Sequence, residues 1–311
     1  MNKPQTTKGV LYAFGACFIW GIAPVYFKHI QQVPADEILT HRVIWSFFFM
    51  LLLITLTRHW PQVVKVFHQP KKVLLLAVTA TVVACNWLIY IWAVNHGHML
   101  EASLGYFISP LVNVLFGMLF LSERFRRMQW AAVALAFTGV LIQLWQFGSI
   151  PVIGLSLAVT FALYALLRKK MNVDAQTGMA IETLWLLPVA ATYLFGFANT
   201  PTSDLSSNPA TLNLLLIAAG IITTVPLLLF TEAAAHLRLS TLGFFQYVGP
   251  TLMFLLATLV YDEQIGTDRL ITFGFIWAAL VLFTLDAVYT QRSKSNENNH
   301  QISQNNRTHC P

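Results

Sequence analysis

Two stretches decide the reading: 93–123, AVNHGHMLEASLGYFISPLVNVLFGMLFLSE, and 233–263, AAAHLRLSTLGFFQYVGPTLMFLLATLVYDE. They align without a gap at an offset of 140 residues. Ala93, His96, Pro110, Leu115, Leu119 and Glu123 then meet Ala233, His236, Pro250, Leu255, Leu259 and Glu263. Six identities in 31 positions is modest for so apolar a composition, but chance rarely supplies His, Pro and Glu in apolar segments. Each block reads as a helix, a short break, then a helix with a central proline and a terminal glutamate. Internal repeats come first in a reading because missing one misassigns the whole fold.

Outside these blocks the apolar runs recur at similar length. Crossing a bilayer takes about 20 apolar residues. Candidate spans fall at 9–27, 36–57, 72–95, 100–121, 128–147, 150–167, 178–197, 211–235, 240–260 and 269–290. The expected fold class is therefore an all-α integral membrane protein with ten transmembrane helices in two five-helix repeats. These cover 9–147 and 150–290, after a short N-terminus at 1–8 and before a disordered tail at 291–311. Trp45 and Trp185 share the 140-residue offset, which also sets Arg42 opposite Glu182. An odd number of helices per repeat makes the second copy enter the membrane upside down. Inverted repeats place a substrate site near the midplane between the halves.

Composition agrees. Hydrophobic residues make up 56% and charged residues 10%, against roughly 25% charged in soluble domains. The net charge of +6 does not point to nucleic acid, because Lys and Arg sit in the short gaps between apolar runs. With the N-terminus inside, sixteen of the nineteen basic residues fall on the inner side, and only Lys28 and Arg269 lie outside. That asymmetry places both termini in the cytoplasm of a cell inner (plasma) membrane. Lys3 and Lys8 before the first run resemble a signal peptide, but the run is too long and lacks a small-residue cleavage site. Cys17, Cys85 and Cys310 do not form a disulfide framework. Expected partners are the lipid bilayer and a small-molecule substrate, with no nucleic acid; monomer and dimer both stay open.

The ten-helix, five-plus-five plan resembles the EamA family of the drug/metabolite transporter superfamily. The resemblance rests on Gly9 through Trp20-Gly21, on Pro110–Glu123 and on its second copy, Pro250–Glu263. It is closest to the RarD-type members through Trp20–Lys28, Glu37–Arg42 and Asn86–Tyr90, and spans about residues 8–290. The second copy departs from it with Tyr164-Ala165 where the first has Trp20-Gly21. The resemblance implies a secondary transporter of small metabolites or amphipathic drugs, and for RarD-type members a link to chloramphenicol sensitivity. It fixes no substrate.

Polar groups inside the spans carry the site reading, since a charge at a helix centre costs roughly 2.5–3.5 kcal/mol on insertion scales. Arg42, beside His41, lies about 9 Å below the outer end of the second span at 1.5 Å per residue. It reads as counter-ion for a carboxylate-bearing substrate or a coupling acid, or as a side chain that snorkels outward or pairs with a neighbouring carbonyl. Asn86 and Tyr90 share a face four residues apart and either line a cavity or bond between helices. Asn113 follows Pro110 by three residues; Gln246 precedes Pro250 by four, with Tyr247 alongside. The two prolines free the carbonyls of Tyr106 and Gln246, and are expected to break their helices beside a cavity or merely to kink them. Trp20 is a candidate aromatic wall or ordinary packing. Glu182 and Glu232 are candidates for proton coupling, or for salt bridges to Arg168 or Arg238. Glu123 and Glu263 read as end anchors, with gating as the lesser option, and Asp286 as a cap or anchor of the tenth span. His96 and His98 lack a convergent ligand set. No phosphate loop, nucleophile elbow or zinc-protease helix is present, so neither cofactor nor metal is expected. A membrane-embedded enzyme acting on a lipid or isoprenoid is the rival class; it calls for Asp, His or Glu clustered at one depth.

Overall fold

The computed structural model describes residues 3–198, 200, 202–203, 205–260, 266, 270–287 and 289–290. Its elements are helices α1 (Lys3–Lys28), α2 (Ala35–Thr57), α3 (Trp60–Phe67), α4 (Pro70–Asn95), α5 (Met99–Leu121) and α6 (Arg127–Phe147). These are followed by α7 (Val152–Met171), α8 (Ala175–Gly196), α9 (Ala210–His236), α10 (Leu239–Gln246) and α11 (Val248–Leu259). A last helix, α12, covers Leu270–Ala287. Among the described residues ten segments are long and apolar enough to cross a membrane, with α10 and α11 together forming the ninth. With the first span taken as Thr6–Lys28 within α1, each lies within four residues of its expected bounds. Glu263 and Arg269 lie outside the described residues, as does the tail.

Local chemistry sets the helix ends. Asp174 caps α8 by accepting from the Thr177 amide at 2.9 Å, satisfying one of the orphan donors of a first turn. Pro at the first turn starts α3 and α4, where a missing N–H costs nothing. Arg58, Ser122 and Asn172 close α2, α5 and α7 in the left-handed region, with φ of 55°, 53° and 49°.

Two expectations change. The loop after the second span contains α3, eight residues long, too short for a span search to register. The two prolines also differ. Pro110 sits inside an unbroken α5, as Pro24, Pro188 and Pro226 sit inside α1, α8 and α9. A single proline removes one backbone bond, and turns with intact bonds on either side carry the helix across. The ninth span does divide, at Tyr247, whose amide bonds Phe244 O at 3.2 Å before Val248 restarts a helix. Pro250 then lies in the first turn of α11, preceded by Gly249 where the first copy has Ser109. Gly weakens a helix by about 1 kcal/mol relative to Ala, and next to a proline it favours the break.

The chain forms two compact units, each drawing segments from both halves. In the larger, α1 packs on α9 and α11, α2 on α8 and α9, α4 on α7, and α5 on α7 and α10. Small residues let these backbones meet. A Cβ on Gly220 would lie 2.5 Å from the Trp45 carbonyl carbon, and one on Gly243 would lie 2.7 Å from Pro110 O. An aromatic cluster of Trp20, Phe161 and Phe230 fills the core, with ring centroids 5.1–5.8 Å apart. Tyr247 donates to Phe107 O at 3.2 Å, so two positions related by the 140-residue offset touch. In the smaller unit α6 meets α12 through Gly139, Gln143 bonds Thr272 at 3.2 Å, and Arg126 lies 3.6 Å from Asp286.

Candidate functional site

Arg42 is placed by a close helix crossing. Gly220 brings α9 against α2, and Ser46 donates to Gly220 O at 3.2 Å. One turn from that contact on each helix stand Arg42 and Thr223. The Thr223 hydroxyl gives its proton to Ala219 O at 2.7 Å and receives Arg42 Nε at 2.7 Å. A hydroxyl can serve both because it has one donor and two lone pairs. The guanidinium carbon lies 5.0 Å from the Trp87 ring centroid and 5.8 Å from that of Phe27, within cation–π range. Tyr26, Tyr90 and Tyr106 lie near enough to act on it electrostatically. Tyr26 donates to Leu215 O at 2.6 Å, and Tyr90 pairs edge-on with Tyr106 at 6.4 Å.

Among the described residues no carboxylate lies within ion-pair distance of Arg42. Arg42 is half-buried, and Tyr106 keeps 43% of its surface open. The result is a cation held by aromatic faces and one hydroxyl, with N–H groups to spare. Such a group can take an anionic oxygen pair in bidentate fashion, as guanidinium does with carboxylate.

A narrow cavity, with room for about one water, extends from this cluster along Trp87, Thr223, Ser46 and Thr183 to Glu182. Glu182 belongs to a buried network. Its Oε1 lies 3.7 Å from Arg168 Nε and 2.6 Å from the Thr79 hydroxyl, while Tyr164 donates to Oε2 at 3.2 Å. Thr79 and Tyr164 are wholly buried, Glu182 is 1% exposed and Arg168 5%. Gly178 makes room for the guanidinium: a Cβ there would stand 1.7 Å from Arg168 Nη1.

The remaining candidates fall elsewhere. Asn86 bonds Leu157 O at 2.9 Å and Thr160 at 2.8 Å, which ties α4 to α7. Trp20 packs into the core with Phe161 and Phe230. Asn113 donates to Gln246 at 2.8 Å where α5 crosses α10, and Tyr247 is 1% exposed. His41 is buried 3.9 Å from Glu37, which accepts from Thr202 at 2.9 Å and from Thr200. Glu232 lies 3.8 Å from His236, and Arg238 has interactions of its own. Glu123 accepts from the Leu239 and Ser240 amides at 2.7 and 3.1 Å, so it caps α10 at the positive end of that helix. Among the described residues no three His, Cys, Asp or Glu side chains converge as metal ligands.

Thr223, Phe27, Trp87 and Thr79 were missed by the sequence reading. Trp87 and Phe27 stood within quoted motifs, but only packing shows that they face Arg42.

The profile of the EamA-like transporter family matches residues 7–145. Protein RarD of Salmonella typhimurium is 65% identical over 94% of this chain and 100% of its own length. Chloramphenicol-sensitive protein RarD of Pseudomonas aeruginosa is 32% identical over 93% and 97%. A crystal structure with 17% identity superposes with a TM-score of 0.72 over 91% of this chain and 99% of that one, a shared fold. Family and relatives point to transport rather than to enzymatic chemistry. The chain belongs to the EamA-like transporter family as a RarD-type member, and is a multi-pass membrane transporter.

Proposed function

We propose that this chain is a secondary transporter that moves small metabolites or amphipathic drugs across a cell inner membrane by alternating access. Both termini face the cytoplasm in this reading, and a proton gradient contributes to accumulation. The observation that carries it is Arg42, a guanidinium within a span, caged by Phe27 and Trp87 and lacking a described carboxylate partner. A charge so placed costs several kcal/mol, and an anionic ligand offsets that cost. The aromatic faces suit an apolar or ring-bearing body attached to the carboxylate. The narrow cavity from Thr223 to Glu182 places a carboxylate close to the contacts of Arg42. The division of the ninth span at Tyr247 supports a hinge, since discontinuous helices line transporter sites. The name of the Pseudomonas aeruginosa relative supports a chloramphenicol-related phenotype as well.

Counterflow in proteoliposomes tests the reading, with labelled amino acids, simple aromatic carboxylates and chloramphenicol, with and without a pH gradient. Trans-stimulated accumulation of one compound, abolished by Arg42→Ala at unchanged expression, is the expected result. Full accumulation by Arg42→Ala would remove Arg42 from the site.

A further inference from the structure

Among the carboxylates of the described residues, Glu182 lines the cavity that also reaches Thr223 and Trp87, the two contacts of Arg42. Its surroundings accept either protonation state. The Thr79 oxygen lies 2.6 Å from Glu182 Oε1 and 3.0 Å from Leu76 O, but the hydroxyl has one proton to give. When Glu182 is ionised, that proton serves the carboxylate. When Glu182 is protonated, its own O–H donates to the Thr79 oxygen and Thr79 turns to Leu76 O. Both arrangements are fully bonded at the observed distances.

The charges around it also tolerate the change. From α7, Arg168 and Tyr164 face Glu182. Asp174, before α8, and Glu232, on α9, act electrostatically on Arg168, so the guanidinium retains acidic neighbours if Glu182 becomes neutral. From α4 comes Thr79 and from α2 comes Ser46; Arg42, also on α2, does not line the cavity but touches Trp87 and Thr223, which do. Arg168 Nε and Nη1 are buried without hydrogen-bond partners. The pair is therefore held by charge more than by bidentate geometry.

The geometry points to Glu182 as the proton-binding carboxylate of the transport cycle, with protonation of Glu182 and binding of an anion at Arg42 reinforcing each other. This rests on the proposed carboxylate site at Arg42. The sign follows from charge. An ionised Glu182, at one end of the cavity, repels an anion held at Arg42 beside the other end. Proton uptake from water onto a Glu182 oxygen removes that repulsion, and linkage makes the benefit reciprocal. Proton and anion then cross together. The 140-residue offset sets Glu182 opposite Arg42, so the two copies supply complementary groups rather than identical ones.

Infrared difference spectroscopy of the full chain in lipid vesicles, stepped from about pH 8 to about pH 5, decides this. A carboxylic-acid C=O band should rise on acidification in the wild type and in Glu232→Gln, and be absent in Glu182→Gln. Because Glu182→Gln leaves Arg168 without its partner, Arg168→Gln/Glu182→Gln is the second variant; it should lack the band too. Excess benzoate should shift the midpoint of the band to higher pH, by about 1 unit for a tenfold coupling. The shift should vanish in Arg42→Ala, while the band remains. An identical band in the double variant would overturn the assignment, and leave the pair a structural brace. A Glu182 band that benzoate does not move keeps the proton site but removes the link to Arg42. Counterflow lost in Arg42→Ala while no Glu182 band exists would sink this inference alone.

Discussion

The larger unit holds two buried-span arginines that are treated in opposite ways. Arg168 sits beside Glu182 over Gly178, 5% exposed, with Thr79 and Tyr164 completing the network. Arg42 has one hydroxyl, two aromatic faces and open N–H groups. Buried ion pairs add little to stability compared with apolar packing, but breaking one strands a charge. A half-buried cation without a carboxylate partner is instead free to take an anion. The difference separates a group that holds the fold from one that receives ligand.

Removing one member of the buried pair should have the largest effect. Arg168→Ala is expected to destabilise the purified protein by about 3–5 kcal/mol at neutral pH, read as loss of thermal stability in detergent, and Glu182→Ala by less, because Arg168 keeps Asp174 and Glu232 as acidic neighbours. Arg42→Ala should stay within about 1 kcal/mol of wild type in the same measurement. Equal losses would erase the distinction between the two arginines. Gly178→Ala sharpens it without altering any charge. Its Cβ would occupy the place of Arg168 Nη1, and the displaced guanidinium should lower stability by about 1–3 kcal/mol. On the open side, Thr223→Val removes the acceptor for Arg42 Nε. Substrate affinity should fall about tenfold, the worth of a charge-assisted hydrogen bond, with thermal stability nearly unchanged. Asn86→Ala should show the smallest effect, about 1 kcal/mol of stability, with counterflow intact because Asn86 ties α4 to α7.

The spans were legible because hydropathy over about 20 residues is a strong signal. The short α3 was not, because five apolar side chains in eight residues resemble many loops. Arg42 was legible as a charge that apolar surroundings must explain. Its partners were not: Thr223 lies 181 residues away, and the contact depends on Gly220 letting two helices touch. Periodicity shows which residues share a face, but not which helix that face meets. For the same reason Asn86 and Tyr90, paired on one face, have separate roles: Asn86 bonds α7, while Tyr90 stands near Arg42. The prolines show a further limit. Both occupy matched positions, but only the span with Gly249 beside its proline divides. A repeat in sequence did not impose a repeat in backbone conformation.

The most direct measurement is equilibrium binding of the counterflow substrate to purified wild type, Arg42→Lys, Arg42→Ala and Asn86→Ala. Losing the counter-ion of a desolvated carboxylate should weaken binding by about 100-fold or more in Arg42→Ala. Arg42→Lys should keep part of the affinity, and Asn86→Ala should bind as wild type does. Wild-type affinity in Arg42→Ala, in protein of unchanged thermal stability, would contradict the assignment of Arg42 as the substrate's counter-ion.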